Sequence, residues 1–175
     1  MDITQKEGNM KSFHVNGAIS TIASKVSFEG PIIKDKVSFI LSLRRSYVDM
    51  FFKFKPEKVT VDLENTRIYF YDINAKLNYK INDKNRIYLS SYFGNDLLKV
   101  DDYNQEYGNI TTTLRYNHIF SNKLFSNTSI IYSDYNMIDG ESSEFSNWED
   151  VVGLNHYQFK NEFNYYIYRN KIKFG

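Results

Sequence analysis

A chain of 175 residues with formal net charge +1 has room for one domain with a sizeable core, and it offers neither the basic excess nor the clustered basic stripe that nucleic-acid binding needs. Cysteine is absent, so disulfides, thiol catalysis and cysteine-based metal sites are excluded together, a pattern that suits an oxidising envelope compartment. The 15 tyrosines and 14 phenylalanines coexist with a mean hydropathy of −0.52 and no run of about 18 apolar residues, which excludes a transmembrane helix but matches a lipid-embedded barrel, where only alternate side chains meet lipid.

Met1 to Asn9 are polar and lack the apolar stretch of a signal peptide; an outer-membrane protein needs one, so the chain is expected to be incomplete. Enrichment in β-branched and aromatic residues predicts strands at 12–30, 37–46, 67–81, 86–94, 109–120, 124–135 and 150–168, with a last one beginning at Lys171. The segment from Ile68 to Lys80 is the most informative. Tyr69, Tyr71, Ile73, Ala75, Leu77 and Tyr79 alternate there with Asp72, Asn74, Lys76, Asn78 and Lys80, so a period of two puts one set on each face of a sheet. Aromatic ends around an aliphatic middle match the girdles of a transmembrane barrel.

The connections carry a second signal. Ile33-Lys34-Asp35-Lys36, Asn82-Asp83-Lys84-Asn85, Ser121-Asn122-Lys123 and Arg169-Asn170 read as tight polar turns. Longer connections are predicted between Tyr47 and Thr66, Asn95 and Gly108, and Asn136 and Glu149, in alternation with the short ones. Short turns on one side of a membrane and long loops on the other are the pattern of an outer-membrane barrel. Within 47–66, Tyr47 to Phe54 is apolar enough for a short helix or a strand extension.

Alternation assigns faces. Tyr71, Ile73, Leu77, Ile87, Leu89, Leu114, Phe159 and Phe163 are the predicted lipid-facing set, and Asp72, Asn74, Lys76, Arg115, Lys160 and Glu162 the predicted lumen-facing set. The strands 12–30 and 124–135 alternate poorly and carry no weight. Pro31 and Pro56 both fall at connections, and no linker divides the chain. The expected fold is all-β: one domain over 1–175, an antiparallel up-and-down meander forming a partial transmembrane β-barrel of about seven to eight strands.

Residues 28–47, Phe28-Glu29-Gly30-Pro31-Ile32-Ile33-Lys34-Asp35-Lys36-Val37-Ser38-Phe39-Ile40 followed by Arg44-Arg45-Ser46-Tyr47, resemble the early barrel of TonB-dependent outer-membrane receptors of the subgroup with an N-terminal carboxypeptidase-regulatory-like domain. The likeness continues through Phe70-Tyr71-Asp72-Ile73-Asn74-Ala75-Lys76, Leu89-Ser90-Ser91-Tyr92-Phe93-Gly94-Asn95-Asp96, Gly108-Asn109-Ile110-Thr111-Thr112, Arg115-Tyr116-Asn117 and Tyr132-Ser133-Asp134-Tyr135. Tyr107 departs from it, standing where a tryptophan is more typical. The resemblance covers 11–175 and implies part of a barrel of about 22 strands that an N-terminal plug fills. It implies TonB-dependent active import of a nutrient ligand, with outer-membrane lipid, the plug and the remaining strands as partners and TonB reached only through the plug.

Little in the sequence points to chemistry. His14, His118 and His156 are far apart and show no metal spacing. Asp139-Gly140-Glu141-Ser142-Ser143-Glu144 with Glu149-Asp150 has carboxylates suited to calcium but not the EF-hand spacing, and reads as a solvated extracellular loop. Asp101-Asp102 has nothing nearby to set two pKa values apart. No nucleophile elbow, phosphate loop or HExxH occurs, so neither enzyme activity nor a cofactor is expected. The alternatives are a complete small eight-stranded outer-membrane barrel with a structural or adhesive role, and a soluble β-sandwich. The sandwich would have to bury the charged face or expose the aromatic one to water.

Overall fold

The computed structural model describes residues 6–49 and 66–175. Nine strands form one sheet: β1 (His14–Ile19), β2 (Ala23–Ile33), β3 (Val37–Ser46), β4 (Arg67–Lys80), β5 (Asn85–Val100), β6 (Tyr103–Ser121), β7 (Leu124–Ser142), β8 (Asn147–Ile167) and β9 (Asn170–Phe174). Each pairs antiparallel with its sequence neighbour, in the order β1 to β9, and the sheet does not close on itself. The fold is therefore an all-β up-and-down meander, as a partial barrel requires.

Two expectations need correction. The predicted strand 12–30 is a hairpin: Ser20 turns the chain, its backbone N–H donating to Ala23 O at 2.9 Å while its hydroxyl accepts from Ala23 N–H at 3.1 Å. That raises the count to nine. The connections expected to be long at 95–108 and 136–149 are mostly strand. β5 and β6 are joined by Asp101 and Asp102 alone, with Asp101 at φ 50, a conformation aspartate tolerates better than most residues. Ser143 to Ser146 close the β7–β8 hairpin, Ser143 N–H donating to Ser146 O at 2.7 Å. The acidic stretch at 139–150, expected as a loop, lies mainly in those strands, with Asp139 paired to Asp150. The apolar pattern changes face along these strands, which breaks the alternation that would have announced them. The short helix or strand extension expected at Tyr47 to Phe54 falls largely on residues 50–54, which lie outside the described residues.

The strands β5 to β8 run 16 to 21 residues, whereas a tilted strand needs about 9–11 to cross hydrocarbon. At the opposite end, Pro31 sits beside a register shift in the β2–β3 pair, which accommodates its missing N–H. The segment from Lys6 to Ser12 lies against the sheet there. Glu7 O accepts from Ser38 Oγ at 3.2 Å, and Gly8, at φ 81, approaches Phe39 so closely that an added Cβ would stand 2.7 Å from its carbonyl oxygen. Only glycine fits that approach in that conformation.

Candidate functional site: the two faces of the sheet

Paired residues share a face and successive residues alternate, so the registers fix every orientation. One row reads Leu77, Leu89, Leu114, Ile130 and Phe159 across β4 to β8. Tyr71, Ile73, Ile87 and Phe163 stand on the same face as that row, and Asp72, Asn74, Lys76, Arg115, Lys160 and Glu162 all stand on the other. The registers therefore bring all eight members of the first predicted set together, and all six of the second.

Burial is inverted relative to a water-soluble domain. On the polar face Ser38, Asn78 and Asp72 are 0 %, 1 % and 6 % exposed, while Leu77, Leu114 and Ile130 on the apolar face are 41 %, 44 % and 57 % exposed. Aromatic contacts flank the aliphatic rows. Near the short turns, His118 meets Phe120 edge-on at 4.3 Å, Phe120 lies 6.2 Å from Phe163, and Phe163 stacks on Phe174 at 5.3 Å. Toward the other end, Tyr71 lies 5.8 Å from Phe93 and Tyr132 lies 5.0 Å from Tyr157. From Tyr71 to Tyr79 the band spans about nine strand residues, within the span that a tilted transmembrane strand needs.

The polar face is a connected network. Arg44 contacts the Asp72 carboxylate through Nε and Nη2 at 2.6 Å, and Asn74 Nδ2 donates to Asp72 Oδ1 at 3.4 Å. Glu162 takes Lys160 at 3.1 Å and Lys173 at 2.6 Å. Glu7, from the N-terminal segment, accepts from Tyr88 Oη at 2.9 Å and pairs with Arg86 at 3.3 Å; Lys6 pairs with Glu29. Lys76 sits 5.2 Å over the Tyr88 ring, and Arg115 is opposite Tyr88 and Ser129. Lys25, Glu29, Arg44, Asp72, Asn74 and Tyr92 line a cavity of about 450 Å³ on this face. Two salt bridges, Arg44–Asp72 and Lys6–Glu29, stand in it beside the hydroxyls of Ser27, Ser42 and Tyr92, so it offers charged and hydrogen-bonding contacts to a bound group.

The three histidines stay apart: His14 is paired with Glu29 and His156 with Ser133 on the polar face, while His118 is on the apolar face beside Asn85, to whose Oδ1 its Nδ1 lies 2.6 Å away. Asp101 and Asp102 form a turn.

Sequence reasoning missed one feature. Beyond Tyr132 and Tyr157 the polarity of the faces exchanges. The apolar residues of β6 shift from Leu114 and Ile110 to Tyr107 and Tyr103, those of β7 from Ile130 and Tyr132 to Tyr135 and Met137, and those of β8 from Phe159 and Tyr157 to Leu154, Val152 and Trp148. The opposite face turns to Asn104, Glu106, Asp134, Asn136, Asn155 and Glu149, with Leu97, Ile138 and Val151 remaining in the row of Glu106. The shift of parity was present in the sequence but reads there as loss of pattern. Comparison of the chain with protein-family models, with curated proteins and with solved structures finds no match.

Proposed function

We propose that the chain is a stretch of transmembrane β-barrel wall in the cell outer membrane, and that the barrel is a TonB-dependent receptor importing a nutrient ligand. The observation that carries the wall reading is the inverted burial: a face of Leu77, Leu89, Leu114, Ile130 and Phe159 left open, bounded by aromatic contacts, opposite a face where carboxylates and cations are paired. Exposed to water such a face is an aggregation surface, and against lipid it is at its energy minimum. The receptor family rests on the resemblance at 28–47 and the segments that follow it. In that family the wall supplies a polar lumen and ligand-facing loops, and energy coupling runs through the plug.

The open edges support a barrel larger than this sheet. β9 pairs only with Phe163 to Ile167 of β8, which leaves the edge from Asn147 to Glu162 unpaired among the described residues, and β1 stands at the far side of the sheet. Each unpaired backbone group costs several kcal/mol in hydrocarbon, so further strands are needed to complete the wall. A complete eight-stranded barrel would instead join its first and last strands.

The chain lacks cysteine, so single cysteines can carry spin labels. Labels at Leu114→Cys and Thr113→Cys, with the chain in nonionic-detergent micelles that cover an apolar face without closure, test the wall. The label at 114 is expected to be reached by oxygen and shielded from a water-soluble nickel complex, and the label at 113 the reverse. Equal accessibility at both positions would overturn the wall reading. On an unheated gel, the refolded chain is expected to show no compact, heat-modifiable, protease-resistant monomer. Such a band would favour the small closed barrel over the receptor.

A further inference from the structure

We propose that the inner face of β5 to β8 beyond the aromatic contacts is a docking wall for a basic, arginine-rich peptide segment. The proposal rests on the barrel-wall reading, which is what leaves this part of the polar face standing in water above the bilayer.

Three observations carry it. First, the strands continue some ten residues past Tyr132 and Tyr157, about 33 Å at strand rise, and turn an apolar surface inward there. Val152 and Leu154 are 54 % and 63 % exposed and Trp148 is 40 % exposed, with nothing packed upon them among the described residues. Second, among the described residues the charge of that surface has one sign. Asp96, Asp139, Glu141 and Asp150 share the inner face with these residues, and among the described residues the first basic side chains on it are Arg44 and Lys25, opposite each other in the row of Asp72. Carboxylates are set among rings: Glu141 stands between Tyr103 and Trp148 in one row, and Asp139 beside Asp150 in the next. Third, the chain shows what such a surface holds. Arg44 places its guanidinium 4.8 Å from the Phe70 ring while its Nε donates to Asp72 at 2.6 Å. A planar cation that stacks on a ring and bonds a neighbouring carboxylate is the chemistry of arginine, and the outer wall repeats ring and carboxylate without the cation. An anionic ligand would meet four carboxylates with no counter-charge.

Trp148 is the only tryptophan of the chain, so its emission reports on this wall alone. In nonionic-detergent micelles, titration with an oligoarginine peptide is expected to change that emission saturably, the change weakening with added salt. The double variant D139N/D150N is expected to weaken binding about five- to tenfold, whereas E106Q/E149Q on the opposite face leaves it unchanged. No saturable change, an equal response to oligoglutamate, or an equal loss in E106Q/E149Q would overturn the proposal. Quenching separates its failure from failure of the barrel reading. Acrylamide quenching of Trp148 with no peptide binding overturns the docking wall alone, whereas quenching by a brominated detergent instead places the wall in the apolar phase and overturns both.

Discussion

Arg44 and Asp72 face each other across the β3–β4 pair, the guanidinium half exposed and 2.6 Å from a carboxylate that is almost fully buried. The pair therefore serves Asp72 more than Arg44. Replacing Arg44 with Met is expected to leave the carboxylate without its cation and to cost about 1–3 kcal/mol. The double variant R44M/D72N is expected to recover most of the loss. Urea midpoints in micelles for the two single variants and the double variant measure the coupling, and strictly additive losses would show that the pair contributes nothing of its own.

The row through Leu114 lies within the apolar band. Leu114→Arg is expected to cost about 2–4 kcal/mol when that row lies at the hydrocarbon midplane. Thr113→Arg, one residue away on the polar face, is expected to cost much less. Denaturant unfolding of both variants checks the difference, and equal losses would mean that the two faces meet the same environment.

Gly140 lies opposite Glu149 in the β7–β8 pair, and an added Cβ there would stand 2.8 Å from the Trp148 carbonyl oxygen. Backbone cannot swing aside as a side chain does. Gly140→Ala is expected to spread the hairpin, cost about 1–3 kcal/mol and shift Trp148 emission. Gly153→Ala in the same strand pair is the control, since its Cβ would meet Tyr135 O at an ordinary 4.0 Å. Unchanged emission in Gly140→Ala would refute the close approach.

The Asp139 carboxylate beside Tyr103 raises that phenol's pKa, chiefly through the hydrogen bond between them. A raised folded-state value means that the neutral phenol is the favoured form in the fold. The stabilisation is fully present below the ordinary tyrosine range near 10 and is lost as pH rises through the higher folded value. Asp139→Asn is expected to return Tyr103 toward the ordinary range, seen as an earlier phenolate absorbance rise in an alkaline difference titration against the parent chain. Identical curves would exclude the contact.

The sequence by itself determined the facing of the half of the sheet that carries the apolar band. From Tyr71 to Tyr79 apolar and polar residues alternate without a slip, and they alternate with few exceptions around Leu114 and Phe159, so a period of two leaves one assignment of faces once one strand is placed. The tight turns at 34–36 and 82–84 and the bounds of β3 were legible for the same local reason: lysine, asparagine and aspartate interrupt β-branched runs.

Only the tertiary structure decided how far the strands extend and how they meet. Asn95 to Val100 and Asn136 to Ser142 read as loops because their apolar residues change face, and that change acquires meaning only when β5 to β8 lie side by side. The split at Ser20 depends on partners too, since Val15 and Phe28 alternate on one face only once β1 folds back on β2. The long-range pairs belong wholly to this level. Arg44 and Asp72 are 28 residues apart, and Glu7 and Tyr88 are 81; no local pattern couples such positions, because register across strands, not spacing along the chain, brings them within hydrogen-bond reach.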